Sequence, residues 1–286
     1  MSLRDYVEKY GIRLKKSLGQ NLLLDLNLNE KLADAARLTE KDAVVEVGAG
    51  LGSLTEVLAC RAGRVFAVEI DRSFEPVLNE RFAGNPRVAI FMGDVLNHDL
   101  AELIETHLGE IPDPLKMVSN LPFYAGSAIL MQFLESPAFF DTIVVMMQQE
   151  VAERLTATTG TKNYGILTVA AQFFSEIDIT GAVSRTCFTP RPKVDAAIVR
   201  FRCKRQLPLD GRARQNFFRL VRAAFGKRRK MLRNALAKST DLDISRDMVE
   251  TLLDAAGIDS SRRAETLSLD EYLTLTRALT MKKDSE

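Results

Sequence analysis

Cysteine is scarce in this chain of 286 residues: Cys60, Cys187 and Cys203 make an odd number with no C-x-x-C spacing. That suits neither a disulfide framework nor a zinc site, so no metal is expected and the three are read as buried small hydrophobes. Histidine is scarcer still, and the two present, His98 and His107, read as surface residues without a role. Long apolar runs are missing too. The richest, TIVVMM after Asp141, stops after a handful of residues, far short of the roughly 18 that a membrane-spanning helix requires. The amino terminus, MSLRDYVEKYGIRLKK, has charges spread through it and no apolar stretch followed by small residues. A secretory signal is therefore excluded and a cytoplasmic location expected.

Net charge is nearly absent as well, since 39 Lys and Arg stand against 38 Asp and Glu. A balance of +1 would ordinarily argue against a nucleic-acid partner. The average hides an asymmetry: from Arg202 to Lys238 there are 13 basic residues and one acidic residue, Asp210, so this segment carries +12 and the remainder −11. One stretch is a basic patch on an acidic body. With 46% hydrophobic residues the chain can bury a core, and its length predicts one or two domains.

Between about Lys41 and Arg202, short runs rich in Val, Ile and Phe alternate with stretches of helical period. AVVEV ending at Val47, VFAVEI at Ile70, VAIFM at Met92, KMVSN at Asn120 and TIVVMM at Met147 read as strands. Such alternation predicts an α/β fold with a parallel, Rossmann-like sheet whose ligands sit at the carboxyl ends of the strands. Phe173 to Val183 and Ala196 to Arg202 read as an added antiparallel edge. After Leu207-Pro208 only helical patterns remain, which predicts a smaller all-helical domain over 207–286 behind a first domain over 1–206. One helix is expected from near Arg212 to Phe225, with Phe217, Phe218, Leu220, Val221 and Ala224 inward and Gly226 as its cap. KRRKMLRNALAK should continue in helical period, and Ser268 with Glu271 forms a capping box opening a last helix through about Ala278.

Three motifs carry chemistry. In VVEVGAGLGSLTEVLA a strand runs into Gly48-Ala49-Gly50-Leu51-Gly52 and then a helix, a turn that lets a ligand approach bare backbone. About twenty residues on, Glu69 ends the next strand, placed to accept hydrogen bonds from ribose hydroxyls; together the two indicate a nucleoside cofactor. Ser53 stands where a dinucleotide site would want glycine, and G-x-G-x-G after Glu46 is the S-adenosylmethionine (AdoMet) pattern. In Gly93-Asp94-Val95 the carboxylate either accepts from an adenine amine or caps a helix, and its place in the strand series favours the ligand. The most specific motif is Asn120-Leu121-Pro122-Phe123, followed by Tyr124. The lone pair of an exocyclic adenine amine is delocalised into the ring, so geometry must assist its methylation. The Asn120 side-chain oxygen and the Leu121 carbonyl can accept the two N–H bonds and turn the lone pair toward the methyl donor, while Pro122 stiffens the turn and Phe123 stacks on the base. No general base is required before attack.

With these motifs in place the chain resembles, nearly end to end, the ribosomal RNA adenine N6,N6-dimethyltransferases. The resemblance runs through KKSLGQNLLLD from Lys15, EVGAGLGSLT from Glu46, AVEIDR from Ala67, GDVL from Gly93, SNLPF from Ser119, QQEVAERL from Gln148, YGILTV from Tyr164, FTPRPKVD from Phe188 and AFGKRRKMLRNAL from Ala224. It implies AdoMet as cofactor, with Asn21 and Leu23 closing over it, Gly48 and Gly50 contacting it, Glu69 on the ribose, Asp94 on the adenine, and Asn120 where cofactor and target amine meet. It implies that residues 1–206 bind AdoMet and that 207–286 bind RNA. The partner implied is small-subunit ribosomal RNA or an immature small ribosomal subunit, met by a monomer, and the reaction implied is dimethylation of two adjacent adenosines near the 3′ end of 16S rRNA. Phe123 departs from a frequent Tyr, Gln149 from a frequent Lys and Ala196 from a frequent Ser, and none removes a group the mechanism requires. Arg219, Arg222, Arg228, Arg229, Lys230 and Arg233 can then form a face for RNA phosphates. Two alternatives stand beside this reading: the related large-subunit (23S) rRNA enzyme that confers antibiotic resistance, and an rRNA-binding assembly factor with secondary methylation activity.

Overall fold

The computed structural model describes residues 3–15, 18–23, 25–136, 139–227, 230–242 and 244–283. The chain forms two compact units. The first comprises Met1–Ala152 and Ser175–Arg205, and the second Glu153–Phe174 and Gln206–Glu286.

In chain order the first unit contains α1 (Leu3–Lys9), β1 (Leu22–Leu23), α2 (Leu26–Ala36), β2 (Ala43–Val47), α3 (Ser53–Arg61), β3 (Arg64–Glu69), α4 (Glu75–Phe82) and β4 (Val88–Met92). It continues through α5 (Leu100–Leu108), β5 (Leu115–Asn120), α6 (Gly126–Glu135), β6 (Thr142–Gln148) and the start of α7 (Gln149–Leu155). After the chain returns from the second unit's α8 (Ile166–Phe174), it adds β7 (Ser175–Val183), β8 (Phe188–Thr189) and β9 (Ala196–Cys203). The seven-stranded sheet has the order β4-β3-β2-β5-β6-β9-β7. The first five strands are parallel, while β9 pairs antiparallel with both β6 and β7. The five expected parallel strands and the antiparallel addition are all present, though Phe173 and Phe174 belong to α8 rather than to the strand that follows.

Burial explains why the sheet strands read as continuous apolar runs. Every residue of β2 is buried, as are five of the six in β5, because helices cover both faces. On one face α2 and α3 set Leu28, Leu32, Ala33, Leu54 and Leu58 against Val44, Val118, Val144 and Met146. On the other, Phe74, Val77, Leu78 and Phe82 pack with Ala49, Leu51 and Ala67. The chain direction reverses across the sheet between β2 and β5: from β2 it winds outward to β3 and β4, and from β5 outward to β6. Loops leaving the carboxyl ends of β2 and β5 therefore diverge and open a crevice.

The second unit adds α9 (Gly211–Phe225), α10 (Leu232–Ala237), α11 (Arg246–Ala255) and α12 (Leu269–Lys283). Its core explains why Glu153–Phe174 joins it, a crossing that the expected division at 206/207 does not contain. Phe173 of α8 lies 4.8 Å from Phe217 and 5.3 Å from Phe218, ring centre to ring centre, and Phe174 stacks on Phe218 at 5.7 Å. An aromatic cluster of this size holds α8 to α9. The capping box is formed: Ser268 Oγ accepts from the Glu271 N–H at 3.2 Å, and the Glu271 carboxylate accepts from the Ser268 N–H at 2.8 Å. Gly226 caps α9 as expected, with right-handed backbone (φ −58°) and its N–H bonding back to the Arg222 and Ala223 carbonyls. One expectation about this region needs correction. KRRKMLRNALAK is not continuously helical, because α10 begins only at Leu232. The cysteines are also corrected: Cys60 is exposed on the outer face of α3, and Cys187 and Cys203 are half-buried. His107 is half-buried as well, with its ring stacked on Phe66 at 4.7 Å, while His98 is exposed as read.

Gly52 enters α3 with φ +77°, and a Cβ there would come within 2.6 Å of the Phe82 ring. Both the left-handed backbone and the ring oppose a side chain. Gly52→Ala is expected to cost about 1 to 3 kcal/mol of stability, and less in a Phe82→Leu background where the ring is gone. Urea unfolding of the double-mutant cycle measures this; equal losses in both backgrounds would show that the ring is no obstacle.

Candidate active site

Between the ends of β2, β3 and β5 lies a cleft with about 770 Å³ of empty space, counted out to open solvent. It brings together Asn21, Leu23, Gly48, Gly50, Glu69, Asn120, Leu121, Pro122 and Phe123. Residues from four separate stretches of sequence thus line one space.

The glycine loop forms the floor. Gly48 (φ +85°) and Gly50 (φ +54°) adopt left-handed conformations that bend the chain sharply after β2. The Gly48 and Ala49 N–H groups both donate to the Val68 carbonyl, at 2.8 and 3.2 Å, and tie the loop to β3. A Cβ on Gly48 would lie 3.6 Å from the Asn120 carbonyl and 3.8 Å from the Pro122 ring, so the two loops face each other at van der Waals distance.

Glu69 is 4% exposed and is held by backbone. One carboxylate oxygen accepts from the Gly50 N–H and the other from the Asp71 N–H, each at 2.8 Å. Burial raises its pKa from the ordinary value, and these two donors oppose the rise. A carboxylate offers about four lone-pair directions, so two remain for a ligand's hydroxyls. Behind it Glu46 is 1% exposed and accepts from Thr55 Oγ1 at 2.5 Å. Burial, with a smaller contribution from the neighbouring Glu69 and against the Thr55 hydrogen bond, pushes Glu46 up to about 8. The inner acid is thus protonated near neutral pH.

Asn120 ends β5 at the crevice. The Leu121 N–H donates to the Met146 carbonyl at 3.1 Å and the Ala125 N–H to the Pro122 carbonyl at 3.1 Å, which fixes the turn at both ends. Phe123 is half-buried and meets Phe188 edge-on, with ring centres 6.0 Å apart. Asp94 lies in an adjoining cavity of about 330 Å³ that shares Gly48, Ile70, Pro122 and Tyr124 with the main cleft. Its side chain caps a short helical turn through the Leu96 N–H at 3.0 Å. The two readings of Asp94 are therefore compatible, since the cap occupies only part of the carboxylate.

The amino-terminal segment passes over the cleft. Leu22 and Leu23 pair with Thr189 and Phe188, and Asn21 Nδ2 donates to the Gly19 carbonyl at 2.9 Å. Its anchor, absent from the sequence reading, is Asp71. Lys15 Nζ and Gln20 Nε2 donate to its two oxygens, each at 2.8 Å. Burial alone would raise its carboxyl, but donation from Lys15, Gln20 and Ser73 brings it down to about 2. The signal was available in part, because Asp71 follows Glu69 by two residues in the AVEIDR motif. Nothing in the sequence indicated that its partners would be Lys15 and Gln20.

The basic residues of this face differ in exposure and in partners. Arg219 donates to the Asp241 carbonyl, through Nε at 2.7 Å and also through Nη2. Arg233 is half-buried, whereas Arg222 and Lys230 are exposed. Arg228 and Arg229 lie outside the described residues.

The profile of a family described as ribosomal RNA adenine dimethylase matches residues 11–279. The chain is 41% identical over 277 residues to a ribosomal RNA small subunit methyltransferase A of Geobacillus thermodenitrificans, covering 96% of this chain and 94% of that one. It is also 41% identical to the protein of that name from Alkaliphilus metalliredigens, covering 95% and 93%. Among solved structures, a dimethyladenosine transferase from Plasmodium falciparum shares the fold with a TM-score of 0.78 at 24% identity, covering 92% of this chain and 98% of that one. The 23S rRNA methyltransferase ErmE matches with a TM-score of 0.67 at 29% identity, covering 91% and 100%.

The raised Glu46 pKa carries a pH signature. A group whose pKa rises on folding contributes stability below its ordinary value, here 4.5, and loses it as pH climbs through about 8. Relative to Glu46→Gln, the parent protein should therefore lose about 1.4 kcal/mol per pH unit across that window. Urea unfolding at several pH values checks this, and parallel stability profiles would show that Glu46 titrates normally.

Proposed function

The chain belongs to the ribosomal RNA adenine dimethylase family and is an AdoMet-dependent methyltransferase, and from that premise we propose that it dimethylates N6 of two adjacent adenosines near the 3′ end of 16S rRNA. The observation that carries this reading is that the Asn120-Leu121-Pro122-Phe123 turn and the glycine loop with Glu69 open on one cleft at the reversal of the sheet. The relatives at 41% identity carry small-subunit names, which favours this substrate over the large-subunit one.

The cleft suits the cofactor. Glu69 has lone pairs left for ribose hydroxyls, Gly48 and Gly50 leave backbone bare, Asp94 stands in the adjoining cavity for the adenine amine, and Asn21 and Leu23 cover the cleft. When bound, AdoMet supplies a methyl group made electrophilic by its sulfonium. Asn120 and the Leu121 carbonyl accept the two hydrogens of the target amine and turn its lone pair out of conjugation, toward that methyl. Phe123, steadied by Phe188, stacks on the base. After attack the extra proton on the amine nitrogen passes to water, so the residues orient and none must first remove a proton. Arg222 and Lys230 contribute phosphate contacts together with Arg219, Arg228, Arg229 and Arg233. The protein acts as a monomer in the cytoplasm on rRNA within an immature small subunit. Incubation with labelled AdoMet and either unmethylated small subunits or large-subunit rRNA, followed by mapping of the modified nucleotides, tests the assignment; label confined to large-subunit rRNA would overturn it.

In the second transfer only one amine hydrogen remains, so one acceptor loses its partner at a cost of about 1 kcal/mol, and stacking must hold the base. Asn120→Ala is expected to remove most turnover in both transfers, whereas Phe123→Ala is expected to accumulate monomethyladenosine. Mass spectrometry of product nucleosides decides it. Near-normal dimethyladenosine from the first variant, or an unchanged product ratio from the second, would contradict the roles assigned.

Replacing Arg222 and Lys230 with Ala should flatten the dependence of log RNA affinity on log salt by roughly one unit or slightly less per phosphate contact, with AdoMet binding unchanged. An unaltered slope would mean that both side chains are merely solvated.

A further inference from the structure

Asn29 stands in the first turn of α2 and is fully buried, yet neither its amide nitrogen nor its carbonyl oxygen has a hydrogen-bond partner. It is among the residues that line the main cleft. Burying an amide strips it of water, and leaving both ends unpaired costs stability that an apolar residue of the same size would not. The neighbours on α2 that face the sheet, Leu28, Leu32 and Ala33, are apolar. Folding alone gives no reason for an amide at this position.

Its place in the cleft indicates what it meets. Lys116, near the start of β5, donates to the Ala36 and Arg37 carbonyls at 3.2 and 3.1 Å, which fixes the last turn of α2 at the amino ends of the strands. The first turn, with Asn29, accordingly lies at their carboxyl ends. Helix α2 packs on β5 and β6, whereas Glu69 ends β3 and Asp94 follows β4 on the opposite side of the reversal. A nucleoside with its ribose at Glu69 and its adenine at Asp94 would have its third part, the 5′ substituent, left for the side of the cleft where Asn29 stands. In AdoMet that substituent ends in an α-ammonium and an α-carboxylate.

Among the described residues, no lysine or arginine lines the cleft. The α-carboxylate must then be met by neutral donors, and the α-ammonium by neutral acceptors or by the two glutamates. A primary amide supplies two donors and an acceptor from one side chain. We propose that Asn29 is a recognition residue for the amino-acid tail of AdoMet, its unpaired amide kept for the charged groups of that tail. The inference rests on the placement of the ribose at Glu69 proposed above.

Calorimetry with three ligands tests it. AdoMet and S-adenosylhomocysteine carry the tail; 5′-methylthioadenosine has the same adenosine, and a thioether like that of S-adenosylhomocysteine, but no amino acid. Asn29→Leu is expected to weaken both tailed ligands roughly tenfold or more while leaving 5′-methylthioadenosine within about twofold, since hydrogen bonds to charged groups are lost and no other contact is touched. The melting temperature of the free variant should hold or rise, because the unpaired amide is gone. Unchanged affinity for S-adenosylhomocysteine overturns the proposal, and so does an equal loss for all three ligands, which would make Asn29 a support of the cleft as a whole. Asn29→Ala runs the same comparison should the leucine not pack. Glu69→Ala separates the premise from the inference: it should weaken tailed and tailless ligands alike, and unchanged binding of both would remove the ribose from Glu69 whatever Asn29 does.

Discussion

One buried carboxylate organises the cleft. Glu69 accepts from the Gly50 N–H on one oxygen and from the Asp71 N–H on the other, so the loop after β2 and the turn after β3 are referenced to a single group. Charge-assisted hydrogen bonds of this kind are about twice as strong as neutral ones and strongly directional. The bond from Gly50 requires the sharp bend that left-handed glycines permit. Together with the Gly48 and Ala49 N–H groups on the Val68 carbonyl, it sets the height of the cleft floor that the Asn120 turn faces.

From Glu69 the organisation spreads outward through backbone and charge. Asp71, whose N–H holds one carboxylate oxygen, uses its own side chain to hold Lys15 and Gln20 and so the segment that crosses the cleft. The two acids beside the glycine loop are thereby distinguished. Asp71 is kept ionised by three donors, while Glu46, deeper and with only Thr55, is kept protonated near neutral pH. A second full charge behind Glu69 would repel it in a poorly solvated space; a neutral acid does not. Burial depth and donor count, rather than residue type, set these states.

The second unit is organised differently. Its centre is an aromatic cluster in which Phe173 and Phe174 meet Phe217 and Phe218, and its basic residues are partly taken up by structure, since Arg219 bonds to the Asp241 carbonyl. Arg222, Lys227 and Lys230, at the end of α9 and just after it, are exposed.

What the sequence by itself determined was local. Fully buried parallel strands read as unbroken Val and Ile runs, the glycine loop and Glu69 were legible from spacing, the Asn120 turn from its residue types, and the Ser268–Glu271 box from an interval of three. Each is encoded within one or two elements, where period and propensity act. Only the tertiary structure decided what depends on partners far apart in the chain. The aromatic cluster drew α8 into the second unit; Lys15 and Gln20 found Asp71; burial protonated Glu46; Cys60 fell on an outward face; Asn29 was left without partners at the cleft. Hydrogen bonding, desolvation and exposure are properties of what surrounds a side chain, and a residue's own identity and spacing do not state what the fold will bring beside it.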